Sequence, residues 1–229
     1  MKKATLYVIA LVTMVILLGA CVPTTVAKKD AFPLMYSERP LSILVLPAIN
    51  MTTAADAKEY YLTTVAEPIS YAGYYVLPIE VTTDILKSVG LPDTELVGDD
   101  HLRKFKEFFG VDAVLFVRII TWNTHYSVLA GNVSVGIECA LKSTTTSGTL
   151  WNYKGTVVVD TTSSSGTGIG GLITNLIATA IATASADYVP IARRVNYMVL
   201  GTMPYGRYHP AFNADREVQI IQGDMHGHK

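Results

Sequence analysis

The most reactive side chains in this 229-residue chain are two thiols, Cys21 and Cys139. A thiol can act as a nucleophile, ligate a metal, pair in a disulfide or carry an acyl group, and its neighbours decide which. Cys139 sits in an alternating apolar run and reads as a buried thiol. Cys21 follows Leu18-Gly19-Ala20, where small residues lead into it as at a processing site, and is either incidental to that site or the residue it serves. With Cys21 modified, Cys139 has no disulfide partner in the chain. Other candidates are weaker. His226-Gly227-His228 supplies two metal ligands but no third. Glu59 with Glu67, or Asp99 with Asp100, would pair carboxylates for acid–base work, yet helix-surface and capping roles account for them. Gly166–Gly171 precedes an apolar helical pattern but lacks the lysine of a phosphate-binding loop, and its acidic follower, Asp187, falls within the helix. Arg118, in an otherwise apolar strand, is the best candidate for a buried or interface charge. No Ser/His/Asp or Cys/His spacing stands out, so neither an enzyme nor a cofactor or metal site is expected.

The stretch before Cys21 has Lys2 and Lys3, then an uncharged, mostly apolar run from Ala4 to Leu18. That run is about 15 residues, shorter than the roughly 20 needed to span a bilayer, which argues against a permanent anchor. The layout resembles a bacterial lipoprotein signal, residues 1–20, whose final motif ends in the cysteine that is lipidated. The resemblance implies that Cys21 is acylated and held by membrane lipid. Val22, where lipoproteins retained at the inner membrane often carry Asp, favours the outer membrane, periplasmic face.

There are 18 basic and 19 acidic residues, and losing Lys2 and Lys3 moves the formal charge from −1 to about −3. No basic excess points to nucleic acid. Only 16% of residues are charged, which favours a covered face: a partner, or self-association as a homodimer or homo-oligomer.

Residues 21–40 are polar and punctuated by Pro23, Pro33 and Pro40, and read as a tether able to lift the domain several nanometres. Residues 41–200 form the domain. Leu41–Pro47 is a strand buried on both faces. A helix capped by Thr52 or Thr53 reaches Gly73, kinked or cut short by Pro68. Tyr74–Pro78 is a second strand, and a helix from Thr82 or Thr83 runs to Val89. Asp99 or Asp100 caps a helix that Gly110 stops, with Leu102, Phe105, Phe108 and Phe109 as its apolar face. Three strand-like segments follow, Ala113–Tyr126, Val133–Ser143 and Leu150–Asp160. After a Ser/Gly loop, apolar residues from Ile169 to Ala184 recur at helical spacing on one face only, as in a helix on the sheet or against its mate rather than in lipid. Pro190 interrupts before a last helix, Arg193 to Leu200. Residues 201–229 read as an extended or partly disordered tail. The fold class is α/β with an α+β tendency: βα units, then an antiparallel meander, with helices on a mixed sheet.

Ile43-Leu44-Val45-Leu46-Pro47 with Asn50, Gly73-Tyr74-Tyr75-Val76, Asp112-Ala113-Val114-Leu115-Phe116 and Leu150-Trp151-Asn152-Tyr153, in this order after Cys21, resemble the lipoprotein family typified by a genome-derived neisserial antigen. More distantly they look like the N-terminal domain of TolB and the lipoprotein CsgG. The resemblance implies a TolB-like domain, often dimeric, acting as a non-catalytic binding or assembly accessory in envelope secretion or transport, beside a CsgG-like partner. A subunit of a CsgG-like secretion pore is the alternative. It would need membrane-inserting hairpins, and the meander has only one well-alternating strand. An enzyme acting on envelope polymer is a third reading.

Overall fold

The computed structural model describes residues 25–92, 94–126, 131–160 and 188–221. The leader with Cys21, the Ser/Gly loop with the helical pattern after it, and His226 and His228 lie outside them. The described elements, in order, are β1 (Thr25–Ala27), α1 (Lys28–Ala31), α2 (Pro33–Glu38), β2 (Ser42–Val45), β3 (Ile49–Asn50), α3 (Ala57–Tyr71), β4 (Tyr75–Val76) and α4 (Ile79–Ser88). A single 3₁₀ turn at Thr94–Leu96 leads to α5 (Asp99–Phe109), β5 (Ala113–Tyr126), β6 (Gly131–Ser143), β7 (Thr149–Asp160), α6 (Val189–Leu200) and β8 (Gln219–Ile221).

The main sheet has the order β4-β2-β5-β6-β7, with β3 extending it beside β5. β2 runs parallel to β4 and β5, while β5, β6 and β7 are antiparallel, so the expected βα units followed by a meander are present. The unbroken apolar run of β2 has a direct cause. Ile43 and Val45 face one layer and Leu44 and Leu46 the other, and all four are buried. On the first face α3 and α6 pack through Tyr61, Val65, Ile69, Ile191, Val195 and Val199. On the second, α4 and α5 supply Leu86, Leu102 and Phe105 against Val114. Each such side chain, once fully buried, contributes about 1.5–3 kcal/mol. A buried amide joins the first pair of helices: Asn196 Nδ2 donates to Thr64 Oγ1 at 2.9 Å and to the Tyr61 carbonyl at 3.2 Å.

Several expectations are corrected. The tether assigned to residues 21–40 is folded from Thr25 onward, because Phe32, Met35 and Tyr36 bury themselves in the first core. The tail assigned from residue 201 is likewise folded up to Ile221: turns cover Met203, and β8 pairs antiparallel with β1, Thr25 opposite Ile221. Pro68 does not cut α3 early. It is buried in the core, and the helix runs three residues further. α4 begins at Ile79, directly after Pro78, and Thr82 lies inside it, its hydroxyl donating back to the Pro78 carbonyl at 3.0 Å. α5 starts after Gly98, with Asp99 and Asp100 in its first turn where its dipole favours them. Pro190 opens α6 rather than interrupting it.

Asp112 ties three elements together where β2 and β5 begin. Its carboxylate accepts from the Leu41 and Ser42 N–H groups at 3.0 and 3.2 Å, the Ser42 hydroxyl at 3.1 Å and Lys106 Nζ, near the end of α5, at 2.6 Å. Burial alone would raise its pKa, but the Lys106 ammonium and these donors outweigh it and hold the carboxyl below the usual range. A depressed folded pKa gives stability that is complete above the unfolded value and is lost as pH falls through the folded one. Asp112→Asn is expected to cost about 1–2 kcal/mol in urea unfolding at neutral pH. The gap to wild type should close in acid, below pH about 4, and a pH-independent gap would refute the assignment.

Candidate functional site

The strongest local chemistry among the described residues joins the two ends of the fold. Lys28 and Asp215, 187 positions apart, form a buried ion pair at 3.3 Å, with side chains only 7% and 4% exposed. Lys28 Nζ also donates to the Met203 carbonyl at 3.1 Å and lies 5.4 Å from the centre of the Tyr205 ring. Asp215 accepts from the Tyr36 hydroxyl at 3.2 Å and from the Tyr205 N–H at 3.0 Å. Burial first, then the neighbouring Asp215 carboxylate, push the Tyr36 hydroxyl well above its ordinary pKa, so it stays a donor. Next to it, Tyr74 donates to the Pro204 carbonyl at 2.6 Å. The arrangement is a staple: it clamps α1 and α2 to the segment that leads into β8.

Two glycines let that segment cross the end of α3. Gly206 N–H donates to the Ala72 carbonyl at 2.7 Å and Tyr208 N–H to the Gly73 carbonyl at 3.1 Å. A Cβ on Gly206 would stand 2.4 Å from the Gly73 oxygen, and Gly73 has φ +91°. On the opposite face of the sheet, α4 and α5 leave an apolar cleft of about 310 Å³ lined by Ile85, Val89, Leu91, Phe105 and Phe108 with Lys104 beside them. Val89 and Phe108 stay largely exposed at its mouth.

The residues singled out by type fall apart in space. Asp99 pairs with Lys142 at 2.6 Å, Asp100 with His101 at 3.2 Å and Glu67 with Arg193 at 3.2 Å. Glu59 is exposed in the first turn of α3. Arg118 is not buried: it lies half-exposed on the open face of the meander, 3.8 Å from Glu138, which Lys154 meets at 2.7 Å. Cys139 is a buried free thiol, and burial pushes it far above its ordinary pKa, so it is not poised as a nucleophile. Among the described residues no cluster of acidic, histidine or cysteine side chains could hold a metal, and no helix is long and apolar enough to cross a membrane. The staple was missed because Lys28 and Asp215 each sit in segments without periodicity. Only the apolar Phe32, Met35 and Tyr36 at helical spacing hinted at it.

Residues 32–206 match the family described as "Putative lipoprotein GNA1162-like". The curated "Putative lipoprotein NMB1124/NMB1162" of Neisseria meningitidis serogroup B is 28% identical over 149 residues, 65% of this chain and 69% of that protein. Among solved structures, lipoprotein GNA1162 from Neisseria meningitidis is similar at 27% identity and TM-score 0.49, over 62% of this chain and 99% of that one. The PelC dodecamer from Paraburkholderia phytofirmans is similar at 14% identity and TM-score 0.43, over 72% and 89%.

Breaking the staple from one side should be severe. Asp215→Ala leaves a buried ammonium without its partner and is expected to cost about 3–5 kcal/mol. Lys28→Met combined with Asp215→Leu should recover much of that loss. Urea unfolding measures both, and limited proteolysis should show residues 25–40 cut first in Asp215→Ala. Equal losses in the single and double variants would show that the pair is not what holds the ends.

Proposed function

The chain belongs to the GNA1162-like lipoprotein family, and we propose that it works as a non-catalytic envelope lipoprotein, held through acylated Cys21 at the periplasmic face of the outer membrane, where it binds and helps assemble proteins of envelope secretion or transport. The observation that carries this reading is the staple. β1 begins at Thr25, only four residues after Cys21, and the residues that follow are clamped into the core by Lys28 and Asp215. An acyl group on Cys21 would therefore hold the folded domain itself, within about 14 Å of its first strand. The folded part of the chain thus begins at Thr25, within the stretch that reads in the sequence as a tether up to residue 40.

A protein held this close offers partners the face turned away from its anchor. The cleft between α4 and α5 supports that role, because Phe108 and Val89 present exposed apolar surface beside Lys104, an arrangement suited to a protein contact. A homodimer, or a CsgG-like envelope lipoprotein as partner, is part of this proposal.

Cys21→Ala is expected to move the protein from the membrane to the soluble fraction with its unfolding curve unchanged. Membrane retention of that variant would defeat the anchoring reading. A photo-crosslinker at Phe108 in intact envelopes should trap a discrete adduct, identified by mass spectrometry. A strictly monomeric protein that traps nothing would defeat the partner reading while leaving the anchor intact.

A further inference from the structure

The crossing of Gly206 over Gly73 turns Arg207 and Tyr208 outward beside the last turn of α3. Tyr208 and Tyr71 are 67% and 68% exposed. Tyr71 packs at 6.1 Å on Tyr197 of α6, and Tyr197 with Met198, Arg193 and Arg194 borders a shallow hollow of about 310 Å³. Three arginines, Arg193, Arg194 and Arg207, face solvent here. One acid, Glu67, pairs with Arg193, while Arg194 and Arg207 have no ion-pair partner among the described residues. Apolar rings with polar tips, set among uncompensated guanidinium groups, suit the headgroup layer of an anionic bilayer.

The position of this ridge relative to the anchor selects its occupant. Lys28 lies over the Tyr205 ring, and Tyr205 stacks on His209 at 3.8 Å, directly beside Tyr208. Two ring contacts thus connect the first turn after β1 to the exposed tyrosines. With at most about 14 Å of chain between Cys21 and Thr25, an acylated protein must lay some surface near β1 against the lipid. We infer that the ridge formed by Tyr71, Tyr197, Tyr208, Arg194 and Arg207 rests on the anionic lipid surface and fixes the orientation of the domain. This inference rests on the proposed acylation of Cys21. It turns the α4–α5 cleft, on the other side of the sheet, away from the membrane.

The test uses the full-length acylated protein in vesicles of phosphatidylethanolamine and phosphatidylglycerol, with the phosphatidylglycerol chains brominated to quench nearby tryptophan. The two native tryptophans, Trp122 and Trp151, are buried and supply a constant background. Tyr208→Trp is expected to lose added emission to the brominated lipid, Phe108→Trp none of it. Arg194→Glu with Arg207→Glu should restore the emission of Tyr208→Trp while the protein still floats with the vesicles. If the protein floats but Tyr208→Trp is not quenched, or Phe108→Trp is quenched instead, the ridge does not face the lipid and the anchoring reading survives. Failure to float removes the anchoring reading and this inference together. A loss of Tyr208→Trp emission that is the same without brominated lipid would not come from the lipid, and overturns the inference.

Discussion

A lysine and a carboxylate taken out of water must find enough partners to offset their lost hydration. Lys28 and Asp215 do so with each other, a carbonyl, an aromatic face, a tyrosine hydroxyl and a backbone N–H. The rest of the first face depends on this solution. Phe32, Met35 and Tyr36 reach the core only because α1 and α2 are held there, and Met203 is buried only because the segment after α6 folds back over it. Replacing such a pair by apolar residues is often tolerated elsewhere, so its worth lies in register: few other pairings of these two segments would satisfy every donor and acceptor.

The sheet divides the labour. Its first face carries the staple, α3 and α6, and is sealed by the two ends of the described chain. Among the described residues its second is covered by α4 and α5 over β2 and the start of β5, while Arg118 and Lys154 on the meander are about half exposed. The result is a domain whose first face is closed by its own chain ends while the α4–α5 cleft on the second stays open.

Much of this was legible in the residues. The β2 run, the αL stop at Gly110 and the three meander strands, to within two residues at their starts, come from periods of two and 3.6 residues and from glycine geometry, all local signals; of the expected stripe Leu102, Phe105, Phe108 and Phe109, Leu102 and Phe105 are buried while Phe108 is exposed. The family, too, was recognisable from the order of short motifs. The folded nature of residues 25–40 and 201–221 was not. Their order depends on a charge pair separated by almost the whole chain and on a glycine crossing, and neither leaves a periodic trace. Polar, proline-rich segments read as linkers unless the distant partner is known. Arg118 misled for the opposite reason: an apolar strand does not reveal which of its faces the helices leave uncovered.

The 187 residues between Lys28 and Asp215 also set an order of events. Contacts this distant must first overcome the entropy of closing a long loop, so they form late. A chain made from its N-terminus has its leading segment in place well before β8 exists. β1 and the two short helices after it therefore remain without their partner strand until the final described residues emerge. Closure of the staple, which waits for Asp215, is thus the step that completes the first face of the domain.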